Sequence, residues 1–96
     1  MLRHIVLITF RPDATAADLA AFREALAQIR DTVPEIRGFI TGDNVGKGPN
    51  HHDFAIVADF DDLAAFRRYI ASPQHKAYVE GPAKAVAKIA AIQHEW

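Results

Sequence analysis

His75 is the residue of this sequence whose setting best suits chemistry. It follows Ser72-Pro73, a serine N-cap with a proline in the first turn, so it lies near the start of a predicted helix. The positive end of the helix dipole and partial burial both disfavour a charged imidazole there. A neutral imidazole near neutral pH is what a general base requires, so His75 is the first candidate catalytic residue.

Tyr69 is the second candidate, because it lies just before the junction that leads into the helix of His75. Its hydroxyl can orient a substrate carbonyl or donate a hydrogen bond to a developing enolate. A structural role is the alternative, in which His75 bonds a backbone carbonyl at the junction and Tyr69 packs beside it. The residues alone leave both interpretations open.

A binding pocket is expected between the sheet and the helices. His4 lies on one face of the first predicted strand, where a lone histidine is either a ligand-binding group or a hydrogen-bonded core residue. The residues predicted to line the pocket are His4, Val6, Ile8, Phe22, Ile56 and Val79.

No metal site and no cofactor site is predicted. His51 and His52 are adjacent, so in an extended segment they point to opposite faces and cannot readily share one metal ion. The glycine-rich run 42–48 lacks a Ser or Thr after Lys47, and a strand rather than a helix follows it, so it is not a phosphate-binding loop.

Four strands and three helices account for the chain. Apolar and β-branched runs predict strands over residues 2–10, 36–41, 52–60 and 88–95. Thr15 and Asp18 form a capping box, and Leu19, Phe22, Leu26, Ile29 and Val33 make one apolar stripe before Pro34. Asp61 or Asp62 caps a second helix with a stripe at Leu63, Phe66 and Ile70. The third helix presents His75, Val79, Ala83 and Val86 on one face, and Gly81-Pro82 kinks or splits it.

The order βαββαβ predicts an α+β fold, namely a single ferredoxin-like domain over residues 1–96 with a four-stranded antiparallel sheet and both helical layers on one side. Apolar residues then occupy the other sheet face as well, where a wet face would be polar. These residues are Ile5, Leu7, Ala55, Val57, Ile92 and Trp96. A second copy of the chain is the expected cover, which predicts a homodimer through the open sheet face.

Composition narrows the partners and the compartment. The formal net charge of −1 disfavours nucleic acid and anionic membranes as partners. The absence of cysteine excludes disulfides and a cysteine nucleophile. No signal peptide or membrane-spanning run is visible, so a cytoplasmic protein is expected.

The motifs together resemble one family, the stress-responsive A/B barrel or dimeric α/β-barrel (Dabb) domains. They are His4-Ile5-Val6-Leu7 with Phe10, Val33-Pro34, Gly42-Asp43-Asn44-Val45, Ala58-Asp59-Phe60, and Tyr69-x3-Pro73-x-His75. The resemblance covers essentially the whole chain. It implies a protomer whose sheet packs face to face with a partner's sheet to form a dimeric α/β barrel.

A plant polyketide cyclase of that family closes a ring by an aldol-type reaction, and its catalytic pair falls on Tyr69 and His75 of this sequence. A further pocket histidine falls on His4. Two positions depart from it, because another pocket histidine aligns with Phe54 and a helix-one aromatic aligns with Arg23. The resemblance implies a homodimer that binds a small organic molecule, with a stress-related role. The alternative is a cofactor-free cyclase or isomerase acting on a carbonyl compound, with His75 as general base and Tyr69 as hydrogen-bond partner.

Overall fold

A computed structural model describes all 96 residues of the chain. The strands are β1 (Leu2–Phe10), β2 (Ile36–Asp43), β3 (Phe54–Phe60) and β4 (Val86–Glu95). The helices are α1 (Ala16–Thr32), α2 (Leu63–Ile70) and α3 (Pro73–Glu80), and a 3₁₀ turn over Pro82–Ala85 follows α3.

The four strands form one antiparallel sheet in the order β2-β3-β1-β4. β1 is central: Leu2 pairs with Phe60 of β3 on one side and with Glu95 of β4 on the other. Trp96 donates its backbone N–H to the carbonyl of Met1 at 3.0 Å, which extends the pairing of β4 with β1. The predicted ferredoxin-like α+β protomer is confirmed.

The first helix has the start and the apolar stripe that the sequence predicts. The Asp18 backbone N–H donates to the Thr15 hydroxyl oxygen at 3.1 Å, and the Thr15 N–H donates to the Asp18 carboxylate at 3.0 Å. This reciprocal cap satisfies two backbone donors that a helix start leaves free. The stripe is buried at Phe22, Leu26 and Ile29. α1 is therefore held to the sheet by its apolar face and begins at a defined residue.

The two faces of the sheet divide as predicted. Side chains of β1 alternate, and its even-numbered residues His4, Val6 and Ile8 are buried under the helices. The odd-numbered residues lie on the side without helices. We call this side the open face; its apolar residues are Ile5, Leu7, Ile40, Ala55, Val57, Ala90 and Ile92. Ile40 and Ala90 were not among the residues predicted for it.

One end of the open face carries a polar cluster. The Arg3 guanidinium donates to both carboxylate oxygens of Asp59, at 2.8 and 3.1 Å. Its carbon also lies 4.5 Å from the centre of the Trp96 ring, a cation–π contact. The hydrogen bond from Arg3 lowers the pKa of Asp59, so this carboxylate remains charged. The cluster bounds the apolar part of the open face on one side.

β4 differs from the other strands because both of its faces are exposed. Ile92 belongs to the open face, yet Ile89 on the helix side is also 62% exposed. Ile8 of β1, which pairs with Ile89, is fully buried. The helical cover therefore stops over β1, and β4 is an edge strand that the protomer leaves largely uncovered.

The last helix is shorter than predicted. α3 ends at Glu80, and Gly81-Pro82 begins the 3₁₀ turn because proline cannot continue the helical hydrogen bonding. Ala83 and Val86 consequently lie outside α3, and the predicted face from His75 through them does not exist. No helix of this chain combines the length and apolar character that a membrane span requires.

The capping box gives a test of the fold. Thr15→Ala should lower the free energy of unfolding by about 1 kcal/mol, because a backbone N–H at the helix start loses its acceptor. Thr32→Ala at the other end of α1 is the matched control, since the Thr32 hydroxyl only donates back to the Gln28 carbonyl. That variant should stay within about 0.5 kcal/mol of wild type. Urea unfolding followed by circular dichroism measures both; equal losses would contradict the assignment.

Candidate active site

His4 is held on the helix side of β1 by the strand alternation, and its side chain is 8% exposed. The register of β4 places Gln93 directly beside it, with Gln93 Nε2 at 2.9 Å from His4 Nδ1. An amide nitrogen only donates, so Nδ1 accepts and the ring proton of a neutral His4 lies on Nε2. His4 therefore presents an N–H donor on the side away from Gln93.

Tyr69 lies in the last turn of α2 and is 5% exposed. The Asp62 side chain begins this helix by accepting from the Ala65 N–H at 2.8 Å. Ala65 and Tyr69, one turn apart, are the buried residues; of the predicted stripe, Phe66 packs against the core, whereas Leu63 and Ile70 are exposed. The prediction rotated the helix because it counted apolar residues only, and the small Ala65 is what lets α2 approach the sheet.

His75 lies in the first turn of α3, where its backbone N–H donates to the Ser72 hydroxyl at 3.2 Å. The short junction from Ala71 to Ser72 turns the chain, so that the His75 ring meets the Tyr69 ring edge-on with centroids 5.0 Å apart. Tyr69 is in turn 6.5 Å from His4, measured between ring centroids. We call these three residues the His4–Tyr69–His75 cluster.

Burial keeps all three side chains of the cluster neutral near pH 7. It lowers the pKa of His4 from 6.5 to about 4, and the positive charge of a protonated His75 adds to that effect. Burial also lowers the pKa of His75 and raises that of Tyr69, to which Tyr78 contributes as well. The cluster thus combines one N–H donor, one hydroxyl donor and one neutral imidazole able to accept a proton.

Two of the three polar side chains in the cluster have no hydrogen-bond partner within the protein. Neither the Tyr69 hydroxyl nor the His75 ring has one. Both groups keep some exposure to solvent, because every fully buried side-chain nitrogen or oxygen atom has a hydrogen-bond partner. The alternative role for His75, a hydrogen bond to a backbone carbonyl at the helix junction, is not the arrangement observed. These groups therefore contact water, which a substrate can replace.

The other residues predicted to line a pocket form a closed core instead. Ile8 and Phe22 are fully buried, and Val6 and Ile56 pack in the same cluster. None of the five main cavities is lined by any member of the His4–Tyr69–His75 cluster. Aromatic rings fill the space, for example Phe66, whose centroid is 4.8 Å from that of His4.

Val79 is the pocket residue whose predicted direction is wrong. It lies one turn after His75 on α3 and is 55% exposed, so it does not point to the sheet. Tyr78 takes the inward position, with ring centroids 5.8 Å from His75 and 5.7 Å from Phe22. A large ring at position 78 packs on the core more completely than valine, and this sets the rotation of the helix.

Two residues of the site were missed by sequence reasoning. Gln93 touches His4 only through the register of β4 on β1, which no local pattern reveals. Tyr78 had a usable signal, because it lies three residues after His75 and such pairs share a helix face. No group of three or more histidine, cysteine, aspartate or glutamate side chains is placed to hold a metal ion.

The comparison with family models decides the affiliation of the chain. The model of the Dabb, or stress-responsive A/B barrel, domain matches residues 2–95. The chain belongs to the Dabb family. An uncharacterized protein of Streptomyces coelicolor is 33% identical to this Dabb chain over 85 residues, which are 82% of the chain and 84% of that protein.

Solved structures share the fold of this Dabb chain. A dimeric ferredoxin-like protein of unknown function from Thermobifida fusca matches with a TM-score of 0.86 and 29% identity, covering 99% of this chain and 90% of that one. A hydroxynitrile lyase from Passiflora edulis matches with a TM-score of 0.85 and 18% identity, over 97% of this chain and 90% of that one. The second likeness concerns the fold alone.

The depressed pKa of His4 predicts how stability depends on pH. The unfolded chain binds a proton at His4 between pH 6.5 and about 4 while the folded Dabb chain does not, so stability falls as the pH drops through this window. The loss approaches about 3 kcal/mol for His4, at 1.36 kcal/mol per pKa unit. Urea unfolding at stepped pH should show this slope in wild type and a flatter one in His4→Gln. His51→Gln, in an exposed loop, should keep the wild-type slope; a wild-type slope in His4→Gln would refute the assignment.

Proposed function

We propose that this Dabb chain works as a homodimer through the open face. Seven apolar side chains of this face have no cover in the protomer, and the helices occupy the opposite side of the sheet. The Thermobifida fusca protein of the same fold is dimeric, which supports a second copy as the cover. The pairing would also shield Ile92 and the open side of the exposed strand β4.

A charge on the open face tests the homodimer. Leu7 lies in the central strand and is 39% exposed in the protomer, so an aspartate there can be hydrated in a monomer but not within an interface. Light scattering should give wild type about twice the protomer mass of 10.6 kDa, and Leu7→Asp a mass near that of one protomer. Val45→Asp, in the exposed loop after β2, should remain dimeric. A wild-type mass of one protomer at micromolar concentration would overturn the proposal.

The function that we propose is the binding of a small organic carbonyl compound at the His4–Tyr69–His75 cluster, which requires neighbouring rings such as Phe66 to move because no main cavity is lined by the cluster. One observation supports it: three contiguous neutral polar rings lie in or beside an otherwise apolar core, with no protein partner for Tyr69 and His75. In this proposal the carbonyl oxygen accepts from the Tyr69 hydroxyl or from His4 Nε2, whose ring centroids lie 6.5 Å apart. The family description adds a stress-related setting, and a cytoplasmic location is proposed with it.

Cofactor-free proton transfer is the second candidate, and the lowered pKa of His75 favours it. A neutral His75 can take a proton from the carbon beside the carbonyl, while Tyr69 donates a hydrogen bond to the enolate oxygen that forms. Return of the proton from His75 to another carbon of the enolate gives isomerisation. Attack of the enolate carbon on a second carbonyl of the same molecule closes a ring, and the alkoxide that forms takes the proton back from His75. A protein named hydroxynitrile lyase shares this fold, so the fold is compatible with lyase chemistry.

Deuterium uptake by phenylacetone in D₂O, followed by proton NMR, tests this chemistry. We expect wild type to speed exchange at the carbon between ring and carbonyl, and His75→Gln to lose about 10²-fold of that rate. Tyr69→Phe should lose at least about tenfold, because the enolate oxygen loses a donor. The rate should decline only as the pH falls below 6.5, the ordinary pKa of histidine, since burial lowers that of His75.

The controls separate catalysis from binding and from stability. His51→Gln should exchange phenylacetone at the wild-type rate, because its ring lies in an exposed loop. Equal rates for wild type, His75→Gln and buffer would rule out the proton-transfer role. If phenylacetone then still raised the melting temperature of wild type but not of Tyr69→Phe, binding without catalysis would remain. If phenylacetone raised the melting temperature of neither protein, the cluster would have only a structural role.

A further inference from the structure

A groove of about 350 Å³ lies between α1 and α3, on the side of the sheet opposite the open face. We call it the α1–α3 groove. Its walls are alanines, Ala21 and Ala25 on α1 and Ala77 on α3, so the two helices leave room for a flat body between them. This volume lies within the range of about 300–1,000 Å³ that small-molecule sites occupy. A homodimer formed through the open face leaves the groove accessible.

Tyr78 connects the α1–α3 groove with the candidate active site. One part of its ring lines the groove, and the ring also packs against His75, with centroids 5.8 Å apart, and against Phe22. Its hydroxyl has no hydrogen-bond partner within the protein and is not sealed from solvent. Tyr78 therefore offers the groove an aromatic surface and an unused hydroxyl, held in place by the core behind it.

The charge at the groove selects the kind of ligand. Glu24 is the only charged residue that lines it; the other polar groups include the amides of Gln28 and Gln74, and no cation is present. On the other flank of α1, the cleft beside β2 is lined instead by Arg23 and Arg30. An anion is thus disfavoured in the α1–α3 groove, whereas a hydroxyl group can donate to the Glu24 carboxylate.

We propose that the α1–α3 groove binds a neutral hydroxylated aromatic molecule, stacked on Tyr78 between the alanine walls and hydrogen-bonded to Glu24. The inference rests on the proposed small-molecule function and names a ligand class for it. Through Tyr78, the occupied groove borders His75. The ligand class is therefore neutral phenolic compounds rather than organic acids.

Titration with 2-naphthol, followed by ¹H–¹⁵N NMR, tests the groove directly. We expect saturable shifts concentrated at the amides of Ala21, Ala25 and Ala77. Ala25→Trp fills the groove and should weaken binding at least about tenfold, whereas Ala17→Trp, exposed on the first turn of the same helix, should bind like wild type. Ala77→Phe fills the groove from the opposite wall and should weaken binding similarly; because Ala77 is exposed, it serves if Ala25→Trp does not fold.

A second comparison tests whether the Glu24 carboxylate selects a neutral ligand over an anion. The anion 2-naphthoate should bind at least about tenfold more weakly than 2-naphthol, and Glu24→Gln should reduce that difference. Equal affinity of the two compounds, shifts centred elsewhere, or an unchanged affinity in both groove-filling variants would overturn the inference. Groove binding without His75-dependent exchange would refute only the catalytic proposal, and exchange without groove binding would refute only this one.

Discussion

The alternation of β1 sets the main constraint on this protein, since both faces of its central strand are apolar while the helices can cover only one. The even-numbered side chains His4, Val6 and Ile8 go under the helices and become core. The odd-numbered side chains Ile5 and Leu7 lie on the side without helices, where they contact either solvent or a partner chain. Everything else follows this division: the helical side holds the polar cluster and the α1–α3 groove, and the other side is available for association.

The same division explains how polar chemistry can exist in so small a core. A histidine in the even series of β1 must be buried, and burial keeps it neutral. Gln93 satisfies one of its nitrogens from the neighbouring strand. The junction between α2 and α3 then brings Tyr69 and His75 beside it, because two short helices with separate caps can turn sharply where one long helix cannot. This geometry brings the neutral side chains of His4, Tyr69 and His75 into contact and forms no ion pair among them.

Local patterns predicted well what local physics decides. The capping box at Thr15 and the stripe through Phe22 specify α1, and strict alternation specifies the faces of β1 and β3. The rotation of α2 and α3 was not predictable in the same way. A prediction from the large apolar residues turns Leu63 and Val79 toward the core, whereas Ala65 and Tyr78 occupy the inward positions. Contacts that depend on strand register, such as that of Gln93 with His4, have no local signal at all. The candidate site was therefore identified by residue type but not in its packing.

The pairing of β4 with β1 has a kinetic consequence. His4 and Gln93 are 89 residues apart, so the contact between their strands closes nearly the whole chain into a loop. Contacts between such distant segments close late and slow the folding of a small domain. Before β4 docks, His4 lacks its amide partner and one flank of β1 is unpaired. The tautomer of His4 thus depends on this long-range contact, and a chain whose β4 has not docked would hold the same residues without the Gln93 hydrogen bond that places the His4 proton on Nε2.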